Sequence, residues 1–217
     1  MNEKTGAVFS IARDNQPVAG CTISKEVYAG GQDYISYFSL AQETDISAEI
    51  YGYHKLLILH EGSMEVYTDK QIWTLNEGEA ILTPTDIPVG MRTGTKAIYT
   101  EISIRRNTMN NAVKAGEVFK LAELIPYQDG KIINMDFAHN EKMKFVIMSF
   151  DEGTGLAEHA APGDALIFAL DGKGVIGYEG KAYPIQAGEN FKFAAGGKHW
   201  VKADSRFKMA LLMILEG

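Results

Sequence analysis

Cysteine is almost missing from this chain. One residue among 217, Cys21, excludes an internal disulfide and fits a reducing compartment. In its Gly-Cys-Thr-Ile context Cys21 is expected to be a small core residue of a strand. Basic residues are in deficit: 21 Lys and Arg face 28 Asp and Glu, a net charge of −7. That balance leaves no basic stripe for a phosphate backbone, so no nucleic-acid partner is expected. No apolar run approaches the roughly 20 residues of a membrane helix. The opening Met-Asn-Glu-Lys-Thr-Gly has neither the charged nor the apolar region of a signal peptide. The expectation is a cytoplasmic protein without a membrane partner. A sustained 3.6-residue period is absent too, with room for one helical turn between Phe119 and Ile125. Nor is there a phosphate loop, a paired-carboxylate arrangement or a nucleophile with its base, so no catalytic residue is assigned.

What remains is glycine (22 residues) punctuating short apolar runs, the pattern of a small β-barrel or sandwich. Lys55–His60 and Ala165–Leu170 read as strands that run into turns at Glu61-Gly62 and Asp171-Gly172. Hairpins Met64–Trp73 and Val175–Tyr183 turn at Asp69-Lys70 and Glu179-Gly180, and Thr100–Ile104 and Met209–Leu215 read as closing strands. Phe145–Phe150 is continuously apolar, as a strand covered on both faces would be. Self-comparison shows one unit written twice. Gly6, Val8 and Phe9 fall on Gly116, Val118 and Phe119, Gly20 on Gly130, Gly62 on Gly172 and Gly78 on Gly188. Residues 1–107 and 111–217 are therefore expected to be two copies of one all-β barrel, joined near Asn107–Asn111. The outer strands would leave unpaired edges, so a two-fold homodimer is expected.

The order and spacing of pieces from Gly153 to Ala203 resemble the cupin superfamily, and the resemblance implies two tandem double-stranded β-helix (jelly-roll) barrels, a bicupin. Metal-binding cupins place two His and a Glu of one motif, and the His of a second, around one ion. Carried onto the second copy, the first motif puts His159, Ala161 and Ala165 at the ligand positions and ends at Gly172. The second runs from Gly188 to His199. Two of four ligands are thus present. Glu158 and Asp164 are neighbouring carboxylates, and a bulge at Gly163 would turn Asp164 inward to complete a 2-His-1-carboxylate set. In the first copy the four positions are Glu49, Tyr51, Lys55 and Val89, with His54 and His60 out of register. Lys55 would repel a cation and pair with Glu49, so this barrel is read as metal-free.

Two functions of different classes follow. In the first, the protein binds or senses a small molecule without a cofactor. Its pocket lies in the second barrel, lined by His159, Ala161, Ala165, Phe168, His199, Trp200 and Met209, with Met213 nearby. The imidazoles face each other, stay neutral through burial and donate N–H groups to a small polar or anionic ligand. In the second, a divalent transition metal (Zn, Fe, Mn or Ni) on His159 and His199 serves an isomerase, lyase or dioxygenase. Ligand count favours the first, because zinc and non-haem iron sites take at least three protein ligands. Lys202 and Arg206 are expected to be solvated charges at the barrel mouth.

Overall fold

A computed structural model describes residues 1–30, 33–105 and 108–215. Asn107, at the expected junction, lies outside the described residues. Every strand pairing described is antiparallel. The chain divides into two compact units, and each is a curled jelly-roll barrel.

The first unit comprises Met1–Asn2, Ile11–Arg106 and Asn111–Lys120. One face orders Val118–Phe119, Ala80–Leu82, His54–Tyr67, Ala97–Ile104, Asp33–Leu40 and Thr22–Gly30. The long strand His54–Tyr67 continues into the other face, where its end pairs Ile72–Asn76 and Pro88–Thr93, and the latter pairs Thr44–Ile50. The second unit comprises Glu3–Ser10, Asn107–Asn110 and Leu121–Gly217. Its long strand is Gly163–Tyr178, which pairs Lys181–Gln186, Asn190–Phe193 and Lys198–Leu215. Gly155–Ala160 also pairs Lys198–Leu215, opposite the strand's first residues. The compact units differ from the repeat boundaries in their short arms. Val8–Phe9 pairs Asn190–Phe193 within the second unit, and Val118–Phe119 pairs Ala80–Leu82 within the first. The physical cause is hydrogen bonding: each arm completes the backbone pairing of an edge strand.

Irregularities recur at matching places in the two units. Register shifts fall between Leu59 and Glu61 and between Ala169 and Asp171, and again between Ile46 and Glu49 and between Leu156 and His159. Glu61-Gly62 and Asp171-Gly172 are thus bulges inside continuous strands, not the expected turns. Gly172 has φ +73°, and a Cβ there would lie 1.7 Å from the Arg206 carbonyl oxygen. The left-handed backbone lets the strand change twist without breaking. Gly172→Ala is accordingly expected to cost about 3 kcal/mol, a fall in melting temperature of roughly 6–12 °C. A thermal melt within 2 °C of wild type, with ~2 °C as ordinary scatter for a neutral surface change, would contradict this assignment.

Each barrel has an inner core. In the second it gathers Phe150, Ile167, Ile176, Phe191, Phe193 and Phe207, all fully or almost fully buried. The outer face of the same sheet carries Phe137, Phe145 and Phe168 in edge-to-face contacts at 5.4 and 6.3 Å. Phe145–Phe150 is buried at every position because both of its faces are covered. A 3-10 turn at Leu121–Glu123 occupies the one helical stretch read from sequence. Cys21 departs from expectation. It is exposed, in a turn where its N–H donates to the Val18 carbonyl at 2.9 Å, ahead of the Thr22–Gly30 strand.

Candidate functional site

In the second barrel the bulge before His159 re-aims the end of Gly155–Ala160 and sets His159 directly across from His199. Their ring centroids are 4.2 Å apart at 54°, and Phe193 stacks on His199 at 4.0 Å. His199 is buried and His159 is exposed, so the pair spans the step from interior to solvent. Both Nδ1 atoms lie against backbone carbonyls, His159 on Ala157 at 2.9 Å and His199 on Gly197 at 3.2 Å. A carbonyl only accepts, so each Nδ1 carries a proton, and in the neutral ring Nε2 is left with the lone pair. A neutral ring held this way is an acceptor toward a ligand, not the N–H donor expected.

Ala161, Ala165 and Met209 are buried in the same inner core, and Met213 packs against it. Phe168 and Trp200 are placed elsewhere, a correction to the expected lining. Phe168 joins Phe145 on the outer face, and the Trp200 indole lies over Gly177 of the neighbouring strand, where a Cβ would meet it at 1.9 Å. The cause is strand parity: Ala165, Ile167 and Ala169 share one face, so Phe168 takes the other, and Trp200 opposes His199 in the same way. Arg206 is also structural. It bridges Asp129 at 2.7 Å and Asp151 at 3.0 Å. Lys202 is exposed, opposite Gly155.

The carboxylates do not join the imidazoles. Pairing runs unbroken through Gly163, Asp164 and Ala165, so the bulge that would have turned Asp164 inward is not there. Asp164 instead meets Lys192 Nζ at 3.0 Å and accepts from the Ala195 N–H at 3.1 Å. Glu158 is exposed on its strand. Among the described residues no three His, Cys, Asp or Glu side chains come together in a way that could hold a metal ion. Two imidazoles on an apolar wall do not satisfy zinc or a non-haem iron centre, and the residues present do not fit the metal of metal-binding cupins.

Burial holds His199 below its ordinary pKa, partly offset by the Gly197 carbonyl and reinforced by His159. Burial alone lowers His60, which meets Thr100 Oγ1 at 2.7 Å, from 6.5 to about 4. For both, the unfolded chain binds the proton first as pH falls. The stability they contribute is complete above pH 6.5 and is lost on descending through the folded-state value. Between pH 6.5 and 4 the protein should lose on the order of 2 kcal/mol to His60, and His60→Asn should flatten that part of the profile. Denaturant midpoints that are level over this interval would refute it.

The first barrel holds a polar cluster that the sequence reading did not assemble. Lys55 and Glu49 do not pair. Lys55 Nζ lies 3.0 Å from Glu101 Oε1 and 3.6 Å above the Tyr51 ring. The Tyr51 hydroxyl donates to Glu49, and the Tyr34 hydroxyl donates to Glu101 Oε1. The reason is again parity. Glu101, two residues from the partner of Lys55 on the adjoining strand, faces inward beside it, while Glu49 is exposed opposite Val89. Burial and the neighbouring carboxylates raise the Tyr34 and Tyr51 pKa values above the ordinary phenol value.

Residues 146–215 match the Cupin domain family. No curated protein matches. Among solved structures, a Cupin 2 conserved barrel domain protein from Leptotrichia buccalis is 26% identical. It covers 98% of each chain with a TM-score of 0.84. Protein Ylba from E. coli is 14% identical over 97% of this chain and 92% of its own, TM-score 0.60. Salicylate 1,2-dioxygenase from Pseudaminobacter salicylatoxidans is 9% identical over 88% and 76%, TM-score 0.63. The second half of this chain carries a cupin domain, and the fold of the whole is that of the cupin conserved-barrel proteins. The two more distant likenesses concern the fold alone, because one barrel supports many unrelated activities.

Proposed function

We propose that this protein binds a small molecule in the second barrel, at the His159–His199 pair, without a resident metal. The observation that carries the reading is the pair itself: two imidazoles in van der Waals contact, each Nδ1 engaged by a backbone carbonyl, on a wall of Phe193, Ala161 and Ala165. Such a wall suits a ligand with an apolar body, and the Nε2 lone pairs suit one that donates hydrogen bonds, a hydroxyl or an amide rather than an anion. Binding of this kind serves sensing or sequestration, and no step of bond chemistry is assigned to it.

The test is nitrogen-15 NMR of the histidine side chains during titration with a panel of small alcohols and amides. Ligands of the site should shift both Nε2 resonances, and His199→Phe should abolish the response. Elemental analysis of protein purified without chelator or affinity-tag metal decides the alternative. One equivalent of iron, manganese, nickel or zinc would overturn the proposal in favour of a metal-dependent isomerase, lyase or dioxygenase on His159 and His199.

We also propose that the protein is a two-fold homodimer. Thr22–Gly30 is an outermost strand whose first five residues are exposed, and an unpaired edge of that length favours strand pairing with a second copy. Light scattering that finds only a 23.9 kDa species at micromolar concentration would exclude it.

A further inference from the structure

One inner-face position is filled by an aromatic ring in the second barrel and left open in the first. Thr68 stands where the second copy has Tyr178, in the same frame that sets Gly62 on Gly172 and Gly78 on Gly188. In the second barrel the Tyr178 ring belongs to the inner core. On one side it lies against Gly6 of the short arm, where a Cβ would meet it at 3.1 Å. On the other it lies against Gly197, where a Cβ would meet it at 2.6 Å. Its hydroxyl accepts from the Ala194 N–H at 3.3 Å. The counterparts of Gly6, Ala194 and Gly197 in the first copy are Gly116, Pro84 and Ile87.

Thr68 leaves that space unused. Its hydroxyl is folded into its own turn, accepting from the Lys70 and Gln71 N–H groups at 3.2 and 3.1 Å. Trp73 takes over the contact with the arm, for a Cβ on Gly116 would lie 3.1 Å from its indole. The side toward Pro84 and Ile87 stays open. What remains is a recess of about 320 Å³ whose walls include Thr68, Trp73, Pro84, Ile87 and Gly116. Solvent reaches it directly: Ile87 is 38% exposed, and Thr68, Trp73 and Pro84 are half-buried.

We propose that this recess is a second binding site, for a free single-ring aromatic compound of phenol size. The second copy supplies the template, because there a phenol ring of the chain itself is packed by the matching residues. In the first copy the Trp73 indole offers an aromatic face, and Pro84 and Ile87 offer an apolar wall, the surfaces that a flat ring needs. Pro84 has no N–H to give, so the hydrogen bond made by Tyr178 has no equivalent, and recognition rests on the ring. A peptide would need main-chain partners as well. Pro84 offers no donor, and the Thr68 N–H is already spent on the Gln71 carbonyl at 2.9 Å, so a free compound is the better fit. This site is independent of the imidazole pair, since all of its residues belong to the other unit.

The experiment is proton–nitrogen NMR of the two tryptophan indoles, with Trp200→Phe identifying the Trp73 signal. The probes are phenol, p-cresol and benzyl alcohol, and 4-methylcyclohexanol is the saturated control. At least one aromatic compound should shift the Trp73 signal with millimolar or tighter affinity. The saturated control should bind roughly 2- to 10-fold more weakly than p-cresol, the share that stacking adds beyond buried area. Thr68→Tyr returns the ring of the second copy to the first and should abolish the response in a folded protein. Ile87→Ser, at an exposed position, should weaken binding at least ~3-fold through lost apolar contact, and it tests the wall even if the tyrosine variant does not fold. His199→Phe should not alter binding, which separates this site from that of the second barrel. No shift with any of the three aromatic compounds, a saturated control that binds as tightly as p-cresol, or an unchanged affinity in Ile87→Ser overturns the proposal. N-acetyltyrosinamide binding more tightly than p-cresol would assign the recess to a polypeptide side chain, and overturns it as well.

Discussion

Lys55→Met should destabilise the protein by about 3–5 kcal/mol, the cost of leaving one charge of a buried pair uncompensated. Both side chains are nearly enclosed, at 9% and 3% exposure, and only 3.0 Å separates them. Removing the ammonium leaves Glu101 with the Tyr34 hydroxyl alone, in a region from which water cannot rescue a full carboxylate charge. For a chain of this length the loss corresponds to roughly 6–20 °C in melting temperature. Lys55→Met combined with Glu101→Leu should recover most of that, since an apolar pair of similar volume has no charge to desolvate. The double-mutant cycle separates two causes. A single variant that is costly and a double variant near wild type identify an ion pair that is retained for something other than stability. Equal losses in both would mean that the packing of Lys55, not its charge, matters there.

Restoring the two missing ligands of the second barrel should convert it into a metal site. Ala161 and Ala165 both face the inner core, and Ala161 is held beside His199 by mutual hydrogen bonds with Gly196 and Gly197 at 2.9 and 3.1 Å. Ala161→His with Ala165→Glu would add one imidazole and one carboxylate to His159 and His199, a donor set that first-row divalent metals accept. Both alanines are tightly enclosed, so the metal-free variant should be weakened by about 1–3 kcal/mol of overpacking. Zinc or manganese at 100 times its dissociation constant would then return about 2.7 kcal/mol. The readout is a melting temperature that rises with added metal in the double variant and not in wild type, with one equivalent retained on gel filtration. A folded variant that takes up no metal would show that Ala161 and Ala165 do not point where the register puts them.

These two expectations rest on one kind of information, and the sequence carried it unevenly. Glycines were legible. Gly6 and Gly116, Gly20 and Gly130, Gly62 and Gly172, and Gly78 and Gly188 all adopt positive φ, between 66° and 88°. A residue without a side chain at a strained backbone position is a local requirement, visible in the chain wherever it recurs. The hairpin at Glu179-Gly180 was legible for the same reason, both residues having positive φ. The opposed imidazoles followed from motif spacing, although the bulge before His159 that aligns them did not.

What escaped the reading depends on which face of a strand a residue takes when both faces are covered. The strand Ala97–Ile104 is buried at all eight positions, so alternation of polar and apolar residues disappears from it, and Glu101 looked like any charged residue on a sheet. Its partnership with Lys55 crosses two strands, and no spacing in the chain announces it. Phe168 and Trp200 were misplaced for the converse reason: a large aromatic reads as pocket lining until parity assigns it to the outer face. The sequence by itself determined an all-β chain of glycine-bounded strands, because backbone strain and hydrophobic burial act on near neighbours and leave a periodic trace. Only the tertiary structure decided that the buried acid and base meet in the first barrel and the imidazoles in the second. Convergence inside a barrel is set by inter-strand register, and register is a property of the closed sheet rather than of any one strand.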